Sequence, residues 1–130
     1  MAWVTWRSWE EAADEALSAI TGFRHVFVAG LSMGALLGML LAARAPQKVQ
    51  GLALVAPVWK LRPWDGRLLT RLRFLPLPKW TGYWVKKTGS DIDDEAARAD
   101  NPVLPKYPLA RLWDLFTIQE HARAAVEKVR

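Results

Sequence analysis

The chain has 130 residues, 52% of them hydrophobic and 24% charged, the proportions of one soluble domain with a single core, which excludes a disordered chain. It has no cysteine, so disulfides, thiolate metal sites and cysteine nucleophiles are excluded. Its net charge of +5 is uneven: Lys60, Arg62, Arg67, Arg71, Arg73, Lys79, Lys86 and Lys87 stand against Asp65 alone in residues 60–87, while Glu10, Glu11, Asp14, Glu15 and the stretch 91–95 are acidic. Such a basic run is ordinarily a solvated face; it can favour a lipid–water interface, and with no nucleic-acid-binding module pattern behind it, it predicts no nucleic-acid partner.

The first residues, MAWVTWRSWEEAADEA, turn acidic where a secretory signal needs its apolar core, so a cytoplasmic location is the expectation. Ser8 and Glu11 have the spacing of a capping box, and Ala12, Ala13, Ala16, Leu17 and Ile20 follow at helical spacing up to Gly22, predicting a short amphipathic helix. Residues 25–29, short and rich in β-branched and aromatic side chains and closed by Gly30, predict a strand buried on both faces. Residues 33–45 favour helix and stop at Pro46, and residues 49–56 predict a second buried strand closed by Pro57.

Residues 26–43 contain no charge, and an uncharged apolar run of about 18 residues is also the mark of a membrane span. Gly30, Gly34 and Gly38 even have the four-residue spacing with which membrane helices pack. The span reading puts a serine and several glycines at mid-membrane and leaves residues 52–59 as a second apolar segment too short to cross. A right-handed parallel βαβ unit accounts for both segments, because a central strand and the helix upon it are each nearly all apolar.

Residues 58–88 interleave Trp59, Trp64, Phe74, Trp80, Tyr83 and Trp84 with the basic residues and are broken by Pro63, Pro76 and Pro78, predicting short helices joined by kinks. An acidic turn leads to Tyr107 and Pro108, and then a helix over 109–128 carries Leu112, Leu115, Ile118, Ala122, Ala125 and Val129 as one apolar stripe.

Gly30-Leu31-Ser32-Met33-Gly34 is G-x-S-x-G, the turn that lifts a serine hydroxyl above an α/β sheet. Such a cramped backbone favours small residues two before and two after the serine, here Gly30 and Gly34. The Met33 amide, at the helix N-terminus, is placed to donate to an oxyanion. With strand, helix and strand around it, VFVAGLSMGALLGMLLAARAPQKVQGLALVAPVW resembles the corresponding segment of the α/β-hydrolase superfamily, in particular its carboxylesterase and monoacylglycerol-lipase-like members. The helix before it resembles the one preceding the nucleophile strand, and the basic aromatic segment with GSDIDD and YPLARLWDLF resembles the inserted cap.

The resemblance implies a partial α/β-hydrolase fold: one domain over 1–130, with a short parallel βαβ core and a mostly helical cap-like segment at 58–108. Family members have a His-Gly oxyanion segment before this point and an acid and base after the cap; no position here matches them. Among the residues present, His25 sits at the far end of the strand, about 20 Å from Ser32, and is set aside. His121 follows Ser32 in the superfamily's chain order and is the candidate base; Asp94, ahead of Asp91 and Asp93, is the candidate acid, with N-capping of the EAARA segment its simpler role. Asp114, two helical turns before His121, is too far to touch it.

The function read from this is a serine hydrolase of carboxylic esters, an esterase or lipase working through a Ser32 acyl-enzyme, on small-molecule or lipid esters and with no cofactor. The alternative is a catalytically impaired hydrolase module that associates or binds, because a two-strand sheet leaves open edges and an apolar face that favour self-association.

Overall fold

Thr5 starts the first helix, α1 (Trp6–Ala19), three residues ahead of the position where a Ser8 cap would start it. Ser8 occupies the third helical position instead, and its hydroxyl accepts from the Thr5 backbone N–H at 3.3 Å, the part that Glu or Gln usually has in a capping box. At the other end Ile20 turns to extended backbone, and the Leu17 carbonyl accepts both Ile20 N–H and, at 2.6 Å, the Lys48 ammonium. In this computed structural model the described residues are 4–60, 84–86, 94–100 and 106–129.

The uncharged run resolves into two elements. Strand β1 (Val26–Leu31) and helix α2 (Met33–Arg44) meet at Ser32, and the chain returns through β2 (Val49–Val55), parallel to β1. The register pairs Phe27 with Gly51, Ala29 with Ala53 and Leu31 with Val55, with an irregularity after Val26 that leaves Gln50 unmatched. At 12 residues, α2 is about 18 Å long. Among the described residues no helix is long and apolar enough to cross a membrane.

α2 is apolar on every side because it is covered on every side. One face lies on the sheet, so closely that a Cβ on Gly38 would stand 3.2 Å from Val28 Cγ1. The opposite faces meet α1 and the long helix near the C-terminus, labelled α4 below. Leu36, Met39 and Leu40 pack there with Ile118, Ala122 and Ala125, flanked by Trp6, Trp9 and Leu115. Leu17, Val26, Leu41, Ala42 and Val49 form a second cluster at the other end of the sheet.

The sheet itself departs from expectation. α2 is the only described helix that lies along it, with Leu17 of α1 joining at the end near Val26 and Val49, so the strands are covered on one face and open on the other: Phe27 is 75% exposed, Leu31 66% and Val55 57%. The apolar runs that predict two-sided burial are present, but only one side has a described cover.

Of residues 58–88, expected as kinked helices, 61–83 and 87–88 lie outside the described residues, as do Asp91 and Asp93. Residues Trp84–Lys86 form a short strand, β3, antiparallel to β4 (Lys106–Pro108), a pairing that the sequence reading lacks. Between them lies a six-residue helix, α3 (Glu95–Asp100). α4 (Ala110–Ala125) continues into a 3-10 turn at Val126–Lys128. It buries Leu112, Ile118, Ala122 and Ala125 from the predicted stripe, together with Gln119.

Candidate active site

Ser32 has φ 55° and ψ −116°, backbone angles that L-residues rarely adopt and that persist only where neighbours over-determine them, at a cost of about 1–3 kcal/mol. Those neighbours are identifiable. The Ser32 N–H donates to the Val55 carbonyl at 3.0 Å, and the Ser32 carbonyl accepts from Ala35 N–H at 3.2 Å and Val58 N–H at 3.4 Å. The serine is held from both sides, by the first turn of α2 and by the chain leaving β2.

The two motif glycines are not equivalent. A Cβ on Gly30 would fall 2.6 Å from the Gly34 carbonyl carbon and 2.7 Å from Ala35 Cα, so only glycine lets the end of β1 pass beneath the helix start. A Cβ on Gly34 meets nothing within 4 Å among the described residues. The expectation that both positions demand a small residue holds for Gly30 alone.

Ser32 is exposed, and its hydroxyl makes no hydrogen bond to the helix start or to any other described residue. Met33 is the first residue of α2, where backbone N–H groups lack intrahelical acceptors and the helix dipole favours negative charge. Its side chain packs into the core, which anchors the amide beside Ser32.

The other candidates lie elsewhere. His121 is on the flank of α4 facing α1: its Nδ1 is 3.6 Å from Glu10 Oε1, and its ring meets the Trp6 ring edge-on at 4.8 Å between centroids. Glu10 is in turn ion-paired through Oε2 to Arg44 Nη1 at 3.0 Å, and Arg44 closes the end of α2 opposite Ser32. Asp94 Oδ1 accepts the Ala97 N–H at 2.9 Å, the capping role. Asp114 pairs with Arg111 at 2.9 Å. The described structure therefore does not assemble Ser32, His121 and Asp94 into one site. Among the described residues no group of three or more His, Asp or Glu could hold a metal ion.

The sequence reading missed the residues that support the serine. Ala56 has φ 43° and turns the chain out of β2, so that Val58 comes under Ser32. Gln119, 3% exposed, donates its Nε2 to the Val58 carbonyl at 2.7 Å. Arg123 Nη2 donates to the Trp59 carbonyl at 2.6 Å, with its guanidinium over the Trp59 ring. A signal for Gln119 existed: it lies seven residues after Leu112 and three before Ala122, a polar residue inside an apolar stripe.

A parallel strand, a strained serine and a helix N-terminus in direct succession, closed by a second parallel strand, form the elbow of an α/β hydrolase. Residues 6–130 match the family described as serine aminopeptidase, S33, and the chain belongs to that α/β-hydrolase family. No curated protein matches the chain. Among solved structures it is similar to one reported for LipS and LipT, two metagenome-derived lipolytic enzymes, with a TM-score of 0.80 and 24% identity. That similarity covers 99% of this chain and 50% of the other, so the chain spans half the length of that structure, and the likeness is one of fold.

Proposed function

We infer that the chain carries the nucleophile of a serine hydrolase acting on carboxylic esters. Ser32 Oγ adds to the ester carbonyl carbon while its proton passes to a base, and the Met33 N–H donates to the oxyanion. Collapse expels the alcohol, which takes up a proton, and leaves an acyl-enzyme that water hydrolyses. The observation that carries this reading is the exposed hydroxyl, without a hydrogen bond among the described residues, of a residue held at φ 55° directly before a helix N-terminus. The reading needs a base within reach of Ser32 Oγ, and to serve, His121 would have to leave Glu10 and Trp6.

Ester chemistry is favoured by the lipolytic description of the structurally similar protein, whereas the family's description names an aminopeptidase. The deciding experiment gives the purified chain and its Ser32→Ala variant short- and long-chain p-nitrophenyl esters and, in parallel, aminoacyl p-nitroanilides. Ester cleavage that disappears with Ser32 supports the reading. Cleavage of the anilides alone moves the substrate class to peptides, and equal background rates in both folded proteins refute a nucleophilic Ser32.

A second reading has its own observation. The open apolar face around Phe27, Leu31 and Val55 favours a module that associates with itself and retains the elbow with little turnover. It predicts slow labelling of Ser32 together with concentration-dependent sedimentation.

A further inference from the structure

Gln119 is the one buried polar side chain among the described residues, and a buried amide carries a desolvation cost unless its hydrogen bonds are made. Its Nε2 reaches the carbonyl of Val58 at 2.7 Å, and the N–H of that same residue is bonded to the carbonyl of Ser32. One residue thus separates the side chain of a long helix from the backbone of the proposed nucleophile. The route is short: Val58 lies two residues after Ala56, which is itself in the left-handed region, and Val55 accepts the Ser32 N–H. The segment from Val55 to Val58 holds both the donor and the acceptor of the Ser32 peptide units, and Gln119, with Arg123 one turn later on Trp59, fastens it to α4.

We propose that Gln119 is a positioning residue for Ser32: by fixing Val58 it keeps the serine backbone at its strained angles and so aims the hydroxyl. This rests on Ser32 being the nucleophile. Two features separate the role from ordinary packing. An apolar side chain would fill the same space between Ile118 and Ala122 without a donor, and a donor aimed at a backbone carbonyl two residues beyond a strained turn acts on orientation. Misplacement of a reacting group by about an ångström is enough to cost one to two orders of magnitude in rate.

The test uses the full chain with Gln119→Met, which keeps length and loses the donor, and Leu112→Ala, which loosens α4 two turns before Gln119 and outside the core cluster on which Val58 packs. Two readouts are taken: the saturating rate and half-saturating concentration of Ser32 labelling by a fluorophosphonate, and amide hydrogen exchange at Ser32, Ala35 and Val58 against the rest of β1 and β2. The expected result for Gln119→Met is a fall of about tenfold in saturating rate with the half-saturating concentration unchanged, and faster exchange confined to those three amides. Leu112→Ala lowers the melting temperature but leaves the saturating rate intact. Unchanged labelling and exchange in Gln119→Met, or losses no greater than those of Leu112→Ala, would overturn the proposal. If Ser32 of the unmodified chain takes no label, the nucleophile reading fails and exchange decides alone: local acceleration supports positioning of the elbow, and no change or a uniform rise refutes it.

Discussion

The backbone of Gly34 occupies the space that a side chain on Gly30 would need: a Cβ on Gly30 would stand 2.6 Å from the Gly34 carbonyl carbon. The elbow thus depends on one glycine for clearance, and the other glycine of the motif is the obstacle. Gly30→Ala is expected to destabilise the fold by about 1–3 kcal/mol, as overpacking does, and to shift Ser32. Gly34→Ala is expected to be tolerated and to add up to about 1 kcal/mol through helix propensity. Urea unfolding midpoints of the two variants check this, and equal losses would contradict the geometry.

Ala56 offers a second backbone test. Its φ of 43° is free of steric cost only for glycine. Ala56→Gly relieves about 1 kcal/mol of strain in the folded state and gives back a similar amount in chain entropy, so its stability stays within about 0.5 kcal/mol of the parent. Ala56→Val, branched at Cβ, costs more than about 1 kcal/mol. A thermal melt in which valine is tolerated as well as glycine would show that this turn is not held at positive φ.

For His121 the structure and the chain order make different predictions. His121 stacks edge-on against Trp6 and lies beside Glu10, so His121→Ala should cost about 1 kcal/mol through the lost ring contact. It should leave the labelling of Ser32 by a fluorophosphonate unchanged. A fall of two orders of magnitude or more in labelling would mean that the ring leaves its described partners to act as the base.

Leu36 and Ile118 are each fully buried where α2 and α4 meet. Ile118→Ala is expected to cost about 2–5 kcal/mol, read from denaturant midpoints. Because Gln119 follows directly, the same change should also speed amide exchange at Val58. A loss below about 1 kcal/mol would mean that the two helices are not packed as described.

The βαβ unit was legible in the sequence because its signals are local. Gly30, Gly34 and Pro46 mark its turns, and strand and helix residues change over near Ser32, so the predicted bounds differ from the observed ones by at most two residues. The stripe on α4 was legible for the same reason, since 3.6-residue periodicity needs no knowledge of what lies opposite. The support of the elbow was not legible. Nothing about Ala56 announces a positive φ, and a hydrogen bond from Gln119 to Val58 spans 61 residues of chain. The β3–β4 pair escaped because three-residue strands carry too little periodicity to be read. The candidate base and acid came from chain order and residue type alone, and neither encodes distance: His121 faces α1, and Asp94 is occupied with Ala97.

The open side of the β1–β2 sheet carries Phe27, Ala29, Leu31, Gly51, Ala53 and Val55, and so contains no ionisable group. Contacts made through it rest on apolar area alone, and added salt does not screen them. Contacts made through the basic residues of 60–87 would weaken as salt is added. Ionic strength would therefore tell the two kinds of contact apart: assembly that survives or tightens at 1 M salt would run through the sheet, and binding that dissolves there would run through charge.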